Sequence, residues 1–265
     1  MQHPLIQTDN FKLVEEYVTH LIHLKAYEHA AEVAGSSVVL DWGCNLGYGM
    51  QILKSRGAKI AGLDVVPDAI AAARAALPAD EDNIRLYDGA TLPFEPGTFD
   101  VVTSFQVLEH IADYEAYFKG IRQALKPGGI AIFTTPNRRL RLEEGMKPWN
   151  EFHVREFSAD ELYRLLSQWF RQVEIRALRG GKKIEAVERA RCSRLKQWAA
   201  GKQVTQGTYE RVRGGLRRRI WGAAEAGSDA FSARTAARYS LSQLYYSETD
   251  LDNGLDLMAT VRTQL

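Results

Sequence analysis

One short segment restricts the folds available to this chain more than any other feature. Residues 38–40 form a continuous apolar run, Val-Val-Leu, which is typical of a strand buried on both faces. The run leads into a glycine-rich turn at 41–49, Asp-Trp-Gly-Cys-Asn-Leu-Gly-Tyr-Gly, and a helix is predicted from Met50 to Ser55. Glycine allows positive φ angles and a close approach of a ligand to the backbone. The segment therefore predicts a strand, a turn and a helix, with a ligand at the carboxyl end of the strand.

The same alternation continues along the chain. Further strands are predicted at Lys59–Leu63, Ile84–Tyr87, Val101–Phe105, Ile130–Thr134, Val173–Leu178 and Leu255–Val261. Helices are predicted before and between them, at residues 11–34, 68–77, 114–125 and 159–170. A turn is predicted at 126–129, Lys-Pro-Gly-Gly. Strands that alternate with helices predict a doubly wound α/β fold, with a parallel sheet covered by helices on both faces.

The composition is that of a globular protein. The chain has 265 residues and a net charge of +1, so the molecule as a whole gives no reason to expect nucleic acid as a partner. No apolar run approaches the length of a membrane-spanning helix, and the polar N-terminus differs from a signal peptide. Two cysteines, Cys44 and Cys192, cannot form a disulfide framework and suit a reducing compartment. We expect a cytoplasmic protein without a transmembrane segment.

The glycine turn alone would suit a dinucleotide or another nucleoside ligand. Asp41 ends the first strand, and a carboxylate there suits a cationic ligand, such as the amino group or sulfonium of S-adenosylmethionine. The same carboxylate would repel a pyrophosphate. The spacing from Gly43, Gly-Cys-Asn-Leu-Gly-Tyr-Gly, also differs from the Gly-x-Gly-x-x-Gly of dinucleotide-binding turns. Both details favour S-adenosylmethionine and disfavour an NAD-linked oxidoreductase.

An ordered set of motifs resembles the class I methyltransferases, in the group that includes ubiquinone- and menaquinone-type enzymes. After the turn come Gly-Leu-Asp-Val at 62–65, Asp-Gly-Ala at 88–90, Leu-Pro-Phe at 92–94, Thr-Phe-Asp at 98–100, Gln-Val-Leu-Glu-His at 106–110, Leu-Lys-Pro-Gly-Gly at 125–129 and Thr-Thr-Pro-Asn-Arg at 134–138. The resemblance covers about residues 25–178 and returns at the last strand. It implies S-adenosylmethionine as cofactor, S-adenosylhomocysteine as product, and a seven-stranded, mostly parallel sheet whose last strand is antiparallel.

The resemblance assigns the cofactor to the carboxyl ends of neighbouring strands. It implies that Asp64 binds the ribose hydroxyls and that Asp88 contacts the adenine amino group. Together with Asp41, three carboxylates at three strand ends suit one ligand with three polar groups. The candidate cofactor residues are Asp41, Gly43, Asn45, Gly47, Asp64, Val65, Asp88, Gly89 and Gln106. Asn45 stands where the family usually has glycine, and asparagine tolerates left-handed backbone best after glycine.

Candidate bases for methyl transfer should follow the fourth and fifth strands. The reaction is an in-line displacement at a sulfonium, so the protein has mainly to align the acceptor and remove its proton. We select His110 and His153 as catalytic candidates, with Glu109 or Glu156 orienting an imidazole. Residues 152–157, Phe-His-Val-Arg-Glu-Phe, resemble the FHxREF stretch of bacterial methyltransferases that act on sugars and other small polar molecules.

A metal-dependent alternative stays open. Ubiquinone-pathway O-methyltransferases and small-RNA 3′-end 2′-O-methyltransferases carry Glu-x-x-Glu-His at this place, and the RNA enzymes add a later histidine. These residues resemble Mg²⁺ sites. This chain keeps Glu109, His110 and His153 but has Gln106 in place of the first glutamate. Loss of an anionic ligand should weaken a Mg²⁺ site, which disfavours both Mg²⁺ as a second cofactor and the RNA-methylating alternative.

The charge of the chain is unevenly distributed. Residues 179–238 carry 15 Lys and Arg against 5 Asp and Glu, including Arg217-Arg218-Arg219, whereas the rest of the chain sums to −9. This stretch has helical spacing but no strand signal. Three interpretations stay open: a lid that binds an anionic acceptor, a surface for RNA or an anionic membrane, and a face that docks on an acidic region of the fold or of a second subunit in a homodimer.

We predict a domain order of an N-terminal helical cap at 1–34, a methyltransferase core at 35–179, a basic helical insertion at 180–250 and the last core strand at 251–265. The predicted function is methyl transfer to a small polar acceptor, most simply a hydroxyl of a sugar or a nucleotide-linked sugar. The alternatives are an RNA 2′-O-methyltransferase, an NAD-linked oxidoreductase and a non-catalytic protein that keeps the cofactor fold.

Overall fold

The computed structural model describes residues 11–204 and 231–263. Its strands are β1 (Val38–Trp42), β2 (Lys59–Asp64), β3 (Ile84–Leu86), β4 (Phe99–Phe105), β5 (Leu125–Pro136), β6 (Gln172–Gly180), β7 (Leu244–Ser247) and β8 (Asp256–Arg262). Its helices are α1 (Val14–Ala34), α2 (Tyr48–Ser55), α3 (Pro67–Ala76), α4 (Tyr114–Ala124), α5 (Arg138–Arg141), α6 (Ala159–Leu166), α7 (Lys182–Val204) and α8 (Ala233–Ala236). The predicted alternation of strands and helices is confirmed.

All strands belong to one sheet, in the order β3-β2-β1-β4-β5-β8-β6-β7. Strands β1 to β5 pair in parallel, and β8 lies antiparallel between β5 and β6. The predicted doubly wound, mostly parallel sheet is therefore confirmed. The chain runs outwards from β1 in one direction through β2 and β3, and in the other through β4 and β5. Such a switch point opens a crevice at the carboxyl ends of β1 and β4, where ligands of this architecture bind.

The sheet has eight strands, so the prediction of seven is wrong by one edge strand. The additional strand β7 pairs antiparallel with β6, and it lies inside residues 180–250, which were predicted as a helical insertion. Its sequence, Leu-Tyr-Tyr-Ser, is only four residues long, too short to show a clear alternation. The strand conformation of β7 depends on pairing with β6, which is remote in sequence, and is not indicated by the local sequence pattern.

The segment at 126–129, predicted as a turn before the fifth strand, is a bulge inside β5. Leu125 already pairs with Phe99 of β4, and Ile130 pairs with Val101, so four residues of β5 stand opposite one residue of β4. Gly128 takes a φ of 76°, which a glycine provides without strain. The Lys-Pro-Gly-Gly sequence thus bends the chain as expected but does not end the strand pairing.

Helices cover both faces of the sheet. On one face α1, α2 and α3 pack on β1, β2 and β4, through a cluster of buried side chains that includes Met50, Leu53, Ile70, Ala73, Val39 and Ile60. On the other face α4 and α6 pack through a second cluster that includes Phe118, Ile121, Leu162, Leu166 and Phe133. The two cores hold the strand ends rigidly, so the side chains at the carboxyl edge of the sheet have fixed positions.

The basic stretch begins as α7, which packs on α1 and α5. Its apolar side buries Ile184 and Cys192 against α1. Several of its basic side chains form ion pairs with acids of the same fold: Arg194 with Glu15, Lys196 with Glu143, and Arg191 with Glu188. For this part of the insertion, the contacts favour the interpretation of a docking face.

The described residues contain no helix that is both long and apolar enough to cross a membrane. The arginine triplet at 217–219 lies outside the described residues.

Candidate cofactor site and active site

The glycine turn leaves β1 in the conformation that the sequence predicts. Gly43, Asn45 and Gly47 have φ angles of 88°, 45° and 79°. Asn45 therefore adopts the left-handed backbone that asparagine tolerates. The amides of Gly43 and Cys44 both donate to the carbonyl oxygen of Leu63 in β2, at 2.8 and 3.0 Å, which fixes the turn between two strand ends.

Glycine is required in the turn for space as well as for backbone angle. A Cβ atom on Gly43 would lie 2.5 Å from Cγ2 of Val107, and one on Gly47 would lie 3.2 Å from Ala73 of α3. The first contact also shows that the segment after β4 rests directly on the turn. The two candidate regions, the turn and the Gln-Val-Leu-Glu-His segment, are therefore in contact.

Asp41 lies at the end of β1 and is only 1% exposed. Its Oδ1 accepts a hydrogen bond from Oγ1 of Thr103 at 2.8 Å, and its Oδ2 accepts one from the hydroxyl of Tyr27 at 3.1 Å. Burial raises the pKa of Asp41 to about 7, against the lowering effect of these two hydroxyl donors. Tyr27 belongs to α1, and the sequence analysis did not identify it.

Asp64 connects the end of β2 to the glycine turn. Its Oδ2 accepts from the amide of Asn45, and its Oδ1 accepts from the amide of Val66, both at 3.0 Å. The neighbouring Val65 is exposed at the same strand end. Each carboxylate oxygen can still accept a second hydrogen bond.

Asp88 follows β3 and is exposed. Its Oδ1 accepts from the amides of Ala90 and Thr91, both at 2.8 Å, and these N–H groups lower the pKa of Asp88. Gly89, which directly follows Asp88, has a φ of 86°. The negative charge of Asp64 contributes to the raised pKa of Asp41, so these two carboxylates at adjacent strand ends interact. Asp88 instead binds backbone amides of its own loop, one strand further out.

Gln106 directly follows β4 and has a φ of 56°, which is unusual for a residue other than glycine. Its Nε2 donates to Oγ1 of Thr134 at 3.2 Å and to Oδ2 of Asp256 at 2.8 Å. Asp256 is buried, and burial raises its pKa well above the usual range. Asp256 was not predicted as a site residue, although a charged residue inside an otherwise apolar strand was a usable signal.

Glu109, His110 and His153 come together although the second histidine is more than forty residues away in sequence. One potential ligand atom from each lies within 4.8 Å of the others. The two imidazole rings are perpendicular, with centroids 4.8 Å apart. Glu109 is 1% exposed, its Oε2 accepts from the hydroxyl of Thr135 at 3.0 Å, and burial raises its pKa to about 8.

The hydrogen-bond partners of both imidazoles favour the tautomer with the proton on Nδ1. Nδ1 of His110 lies 2.9 Å from the carbonyl oxygen of Phe152, and Nδ1 of His153 lies 2.8 Å from Oε1 of Glu156. Because a carbonyl and a carboxylate can only accept, each Nδ1 carries the proton, and each Nε2 carries the lone pair in the neutral ring. The arrangement supplies two imidazoles that can take up a proton at Nε2.

A buried arginine holds the partner of His153. Nε of Arg141 lies 3.1 and 3.0 Å from the two oxygens of Glu156, and the guanidinium stacks on the ring of Trp149 with 3.8 Å to the centroid. Burial alone would raise the pKa of Glu156, but the bonds to His153 and Arg141 lower it. The carboxylate therefore stays charged beside the imidazole. Glu156 was predicted in this orienting role, whereas Arg141 was not.

The comparison with protein families decides between the architectures that share this turn. The Methyltransf_23 model, described as a methyltransferase domain, matches residues 15–169. The chain belongs to this methyltransferase family. S-adenosylmethionine is the cofactor of such methyltransferases, and S-adenosylhomocysteine is the product. The NAD-linked alternative is thereby set aside.

Curated relatives of this chain support the family assignment. A protein named "Probable S-adenosylmethionine-dependent methyltransferase" from Mycolicibacterium smegmatis is 34% identical over 154 residues, which are 58% of this chain and 59% of that protein. A ubiquinone biosynthesis O-methyltransferase from Idiomarina loihiensis is 38% identical over 109 residues, which are 39% and 44% of the two chains. The chain thus spans about half the length of the curated relatives it matches.

Solved structures confirm the fold of this chain. An S-adenosylmethionine-dependent methyltransferase from Thermotoga maritima has a TM-score of 0.55 at 13% identity and covers 94% of this chain and 92% of its own. The [4+2]-cyclase SpnF has a TM-score of 0.57 at 17% identity and covers 97% and 85%. At these identities the similarity shows the fold alone. Because one of these proteins is a cyclase, the fold does not determine the reaction.

Proposed function

We propose that this methyltransferase moves a methyl group from S-adenosylmethionine to a hydroxyl oxygen of a small polar acceptor, with His110 and His153 as the candidate bases. The observation that carries the proposal is the orientation of the two imidazoles, whose Nδ1 atoms are bonded to Phe152 and Glu156. Each Nε2 can then accept a proton. Relatives named O-methyltransferases match this chain at 33–38% identity, which supports oxygen as the acceptor atom.

The position of the imidazoles suits the reaction. Val107 rests on Gly43 of the turn, so the cluster that starts two residues later lies next to the proposed cofactor site. The acceptor oxygen would attack the methyl carbon, forming the C–O bond while the C–S bond breaks and its electron pair stays on sulfur. The hydroxyl proton would pass to Nε2 of an imidazole. The Glu156 carboxylate would stabilise the imidazolium that His153 becomes, as in other carboxylate–histidine pairs.

The same proposal assigns the cofactor to the turn and to the ends of the neighbouring strands. The backbone of Gly43, Asn45 and Gly47 would approach the nucleoside and the amino acid part, because these residues leave the surface of the turn bare. The second acceptor positions on the Asp64 carboxylate suit ribose hydroxyls. The remaining candidate residues for binding the cofactor are Asp41, Val65, Asp88, Gly89 and Gln106.

A second candidate is the metal-dependent form of the same transfer. Glu109, His110 and His153 offer one carboxylate and two imidazoles, which suit a borderline transition-metal ion better than Mg²⁺. Gln106 does not complete the set, because its amide is bonded to Asp256. A bound cation would orient the hydroxyl groups of the acceptor. The 2′-hydroxyls at an RNA end would be one such acceptor.

The test is an acceptor screen with S-adenosylmethionine, in which release of S-adenosylhomocysteine is measured for sugars, nucleotide sugars, phenols and RNA ends, with and without chelator. We expect turnover on a small hydroxylated acceptor and at least about a hundred-fold loss in kcat for His153→Gln. Calorimetry should show unchanged S-adenosylhomocysteine affinity in that variant.

The matched control is His29→Gln, which removes an imidazole of α1 that packs against Tyr246 of β7 and is not part of the cluster. It should keep kcat within about two-fold. Equal activity in His153→Gln and the control would contradict the assigned base, and loss of all turnover on chelation would favour the metal-dependent candidate. Binding of S-adenosylhomocysteine without turnover on any acceptor would favour the non-catalytic alternative.

A further inference from the structure

The N-terminal helix reaches into the glycine turn through one side chain. Tyr27, near the middle of α1, is 4% exposed, and its hydroxyl lies 3.1 and 3.4 Å from the two oxygens of Asp41. Helix α1 also packs along α2, the helix that starts at the turn. The predicted N-terminal cap therefore contacts the proposed cofactor site directly.

The ring of Tyr27 is enclosed as tightly as its hydroxyl. A Cβ atom on Gly49 would lie 2.0 Å from Cζ of Tyr27, so glycine at this position makes room for the ring. The ring also packs edge-on against Phe105 at 4.8 Å and Tyr48 at 5.5 Å between centroids. Tyr27 is thus wedged between the end of β4 and the start of α2, and it cannot move without disturbing the turn.

Asp41 depends on this contact because its described partners are hydroxyls. Thr103 and Tyr27 are the two side chains that donate to it, and the described residues place no cation within ion-pair distance. A buried carboxylate is costly unless hydrogen bonds compensate for the lost water. Removal of one donor therefore changes both the charge and the orientation of Asp41.

We propose that Tyr27 is a positioning residue of the cofactor site, which holds and orients the Asp41 carboxylate so that docking of α1 and binding of the cofactor are coupled. The proposal rests on the proposed function only in that Asp41 faces the bound cofactor. It extends the cofactor site from the core, residues 35–179, to a helix that the sequence analysis treated as a separate cap.

The coupling has a pH signature. Burial raises the pKa of Asp41 to about 7, and the Tyr27 hydroxyl opposes that rise. The titratable groups that face Asp41 are Tyr27 from α1, Cys44 from the turn, Tyr48 from α2 and Asp64 from β2. Burial raises the pKa of the tyrosines and the thiol, so they stay neutral where Asp41 titrates. Affinity for a ligand with a positive amino group should rise as Asp41 ionises.

The experiment compares Tyr27→Phe with Tyr117→Phe. Tyr117 is also buried, and its hydroxyl bonds to Ser104, the neighbour of Thr103, on the opposite face of the sheet. The dissociation constant of S-adenosylhomocysteine is measured by calorimetry from about pH 6 to about pH 9, at a temperature where circular dichroism shows each variant to be folded. Amide hydrogen exchange of residues 14–34 is measured with and without S-adenosylhomocysteine.

We expect Tyr27→Phe to bind about ten-fold more weakly at neutral pH and to approach wild-type affinity at high pH, because the Asp41 pKa is higher in this variant. S-adenosylhomocysteine should slow amide exchange in α1 of the wild-type protein and have less effect in Tyr27→Phe. Tyr117→Phe should match the wild type in both measurements. In an Asp41→Asn background, Tyr27→Phe should have no further effect on affinity.

An affinity loss that is equal at every pH, or equal in the two phenylalanine variants, would overturn the proposal, since it would reflect a general loss of packing. No binding of S-adenosylhomocysteine to the wild-type protein would instead refute the proposed function. Normal wild-type binding with an unchanged Tyr27→Phe profile would refute the positioning role alone.

Discussion

At the scale of single residues, two buried carboxylates of the candidate site are held by hydroxyl groups. Asp41 accepts from Tyr27 and Thr103, and Glu109 accepts from Thr135. Neither of these carboxylates forms an ion pair within the described residues, and burial raises the pKa of Asp41 to about 7 and that of Glu109 to about 8. Both carboxyl groups therefore ionise close to neutral pH, where binding of a cationic ligand can change their ionisation.

The raised pKa of Asp41 predicts how stability depends on pH. The folded-state pKa, about 7, lies above the unfolded value, so the protonated group stabilises the fold below about pH 4, and this contribution is lost as the pH rises through 7. The wild-type protein without cofactor should therefore lose more stability between about pH 5 and pH 8 than Asp41→Asn. Urea unfolding at several pH values measures the difference, and parallel pH profiles would contradict it.

At the scale of elements, the sequence predicted the strands and helices that carry a local pattern. Apolar runs identified β1, β2, β4, β6 and β8, and their bounds differ from the prediction by two residues or fewer. The edge strand β7 was missed because four residues show no clear alternation, and the bulge in β5 was read as a turn because its glycines are turn residues. Both depend on pairing with distant strands.

The residues of the candidate site also fall into those with a local sequence signal and those whose contacts depend on distant parts of the chain. Asp41, Asp64 and Asp88 could be predicted because each ends or follows a recognisable strand. Asp256 could have been singled out as a charged residue in an apolar strand, but its partner Gln106, 150 positions away, could not be assigned. Tyr27 likewise could not be paired with Asp41, because the contact joins different elements. Side-chain contacts of this kind follow from packing and leave no periodic signal.

The glycine turn gives a prediction at the scale of an element. In Gly43→Ala the new methyl group would meet Val107, and the φ of 88° would be strained, so we expect a stability loss of about 2–4 kcal/mol and loss of measurable S-adenosylhomocysteine binding. Gly57→Ala is the control, because it has a similar φ of 99° but open space around the new Cβ. Thermal unfolding measures the stability of the two variants, and calorimetry measures their binding of S-adenosylhomocysteine. Equal effects in the two variants would show that the contact with Val107 is unimportant.

At the scale of the whole molecule, the first part of the basic insertion is built into the fold. Helix α7 buries Ile184 and Cys192 in a cluster shared with α1, and its arginines and lysines pair with acids inside and outside the helix. Much of the positive charge described in this helix is therefore already compensated by the protein. A deletion that begins inside α7 would remove core packing together with any acceptor contacts.

A single substitution tests this integration. Ile184 is fully buried, so Ile184→Ala should lower the free energy of unfolding by about 2–4 kcal/mol. Lys183→Ala, on the exposed side of the same turn, should change it by less than about 0.5 kcal/mol. Denaturant unfolding of both variants measures the difference. A small effect at Ile184 would show that α7 is a detachable lid.

The position of β8 has a consequence for biosynthesis. Among the strands of the described residues, β8 comes last along the chain, yet it lies between β5 and β6 and pairs with both. Until residues 256–262 have left the ribosome, both neighbours present unpaired edges that can associate with other chains. Asp256 arrives with the same strand and meets Gln106 only at that moment. The nascent chain therefore closes its sheet and forms the contact between Gln106 and Asp256 in one late step.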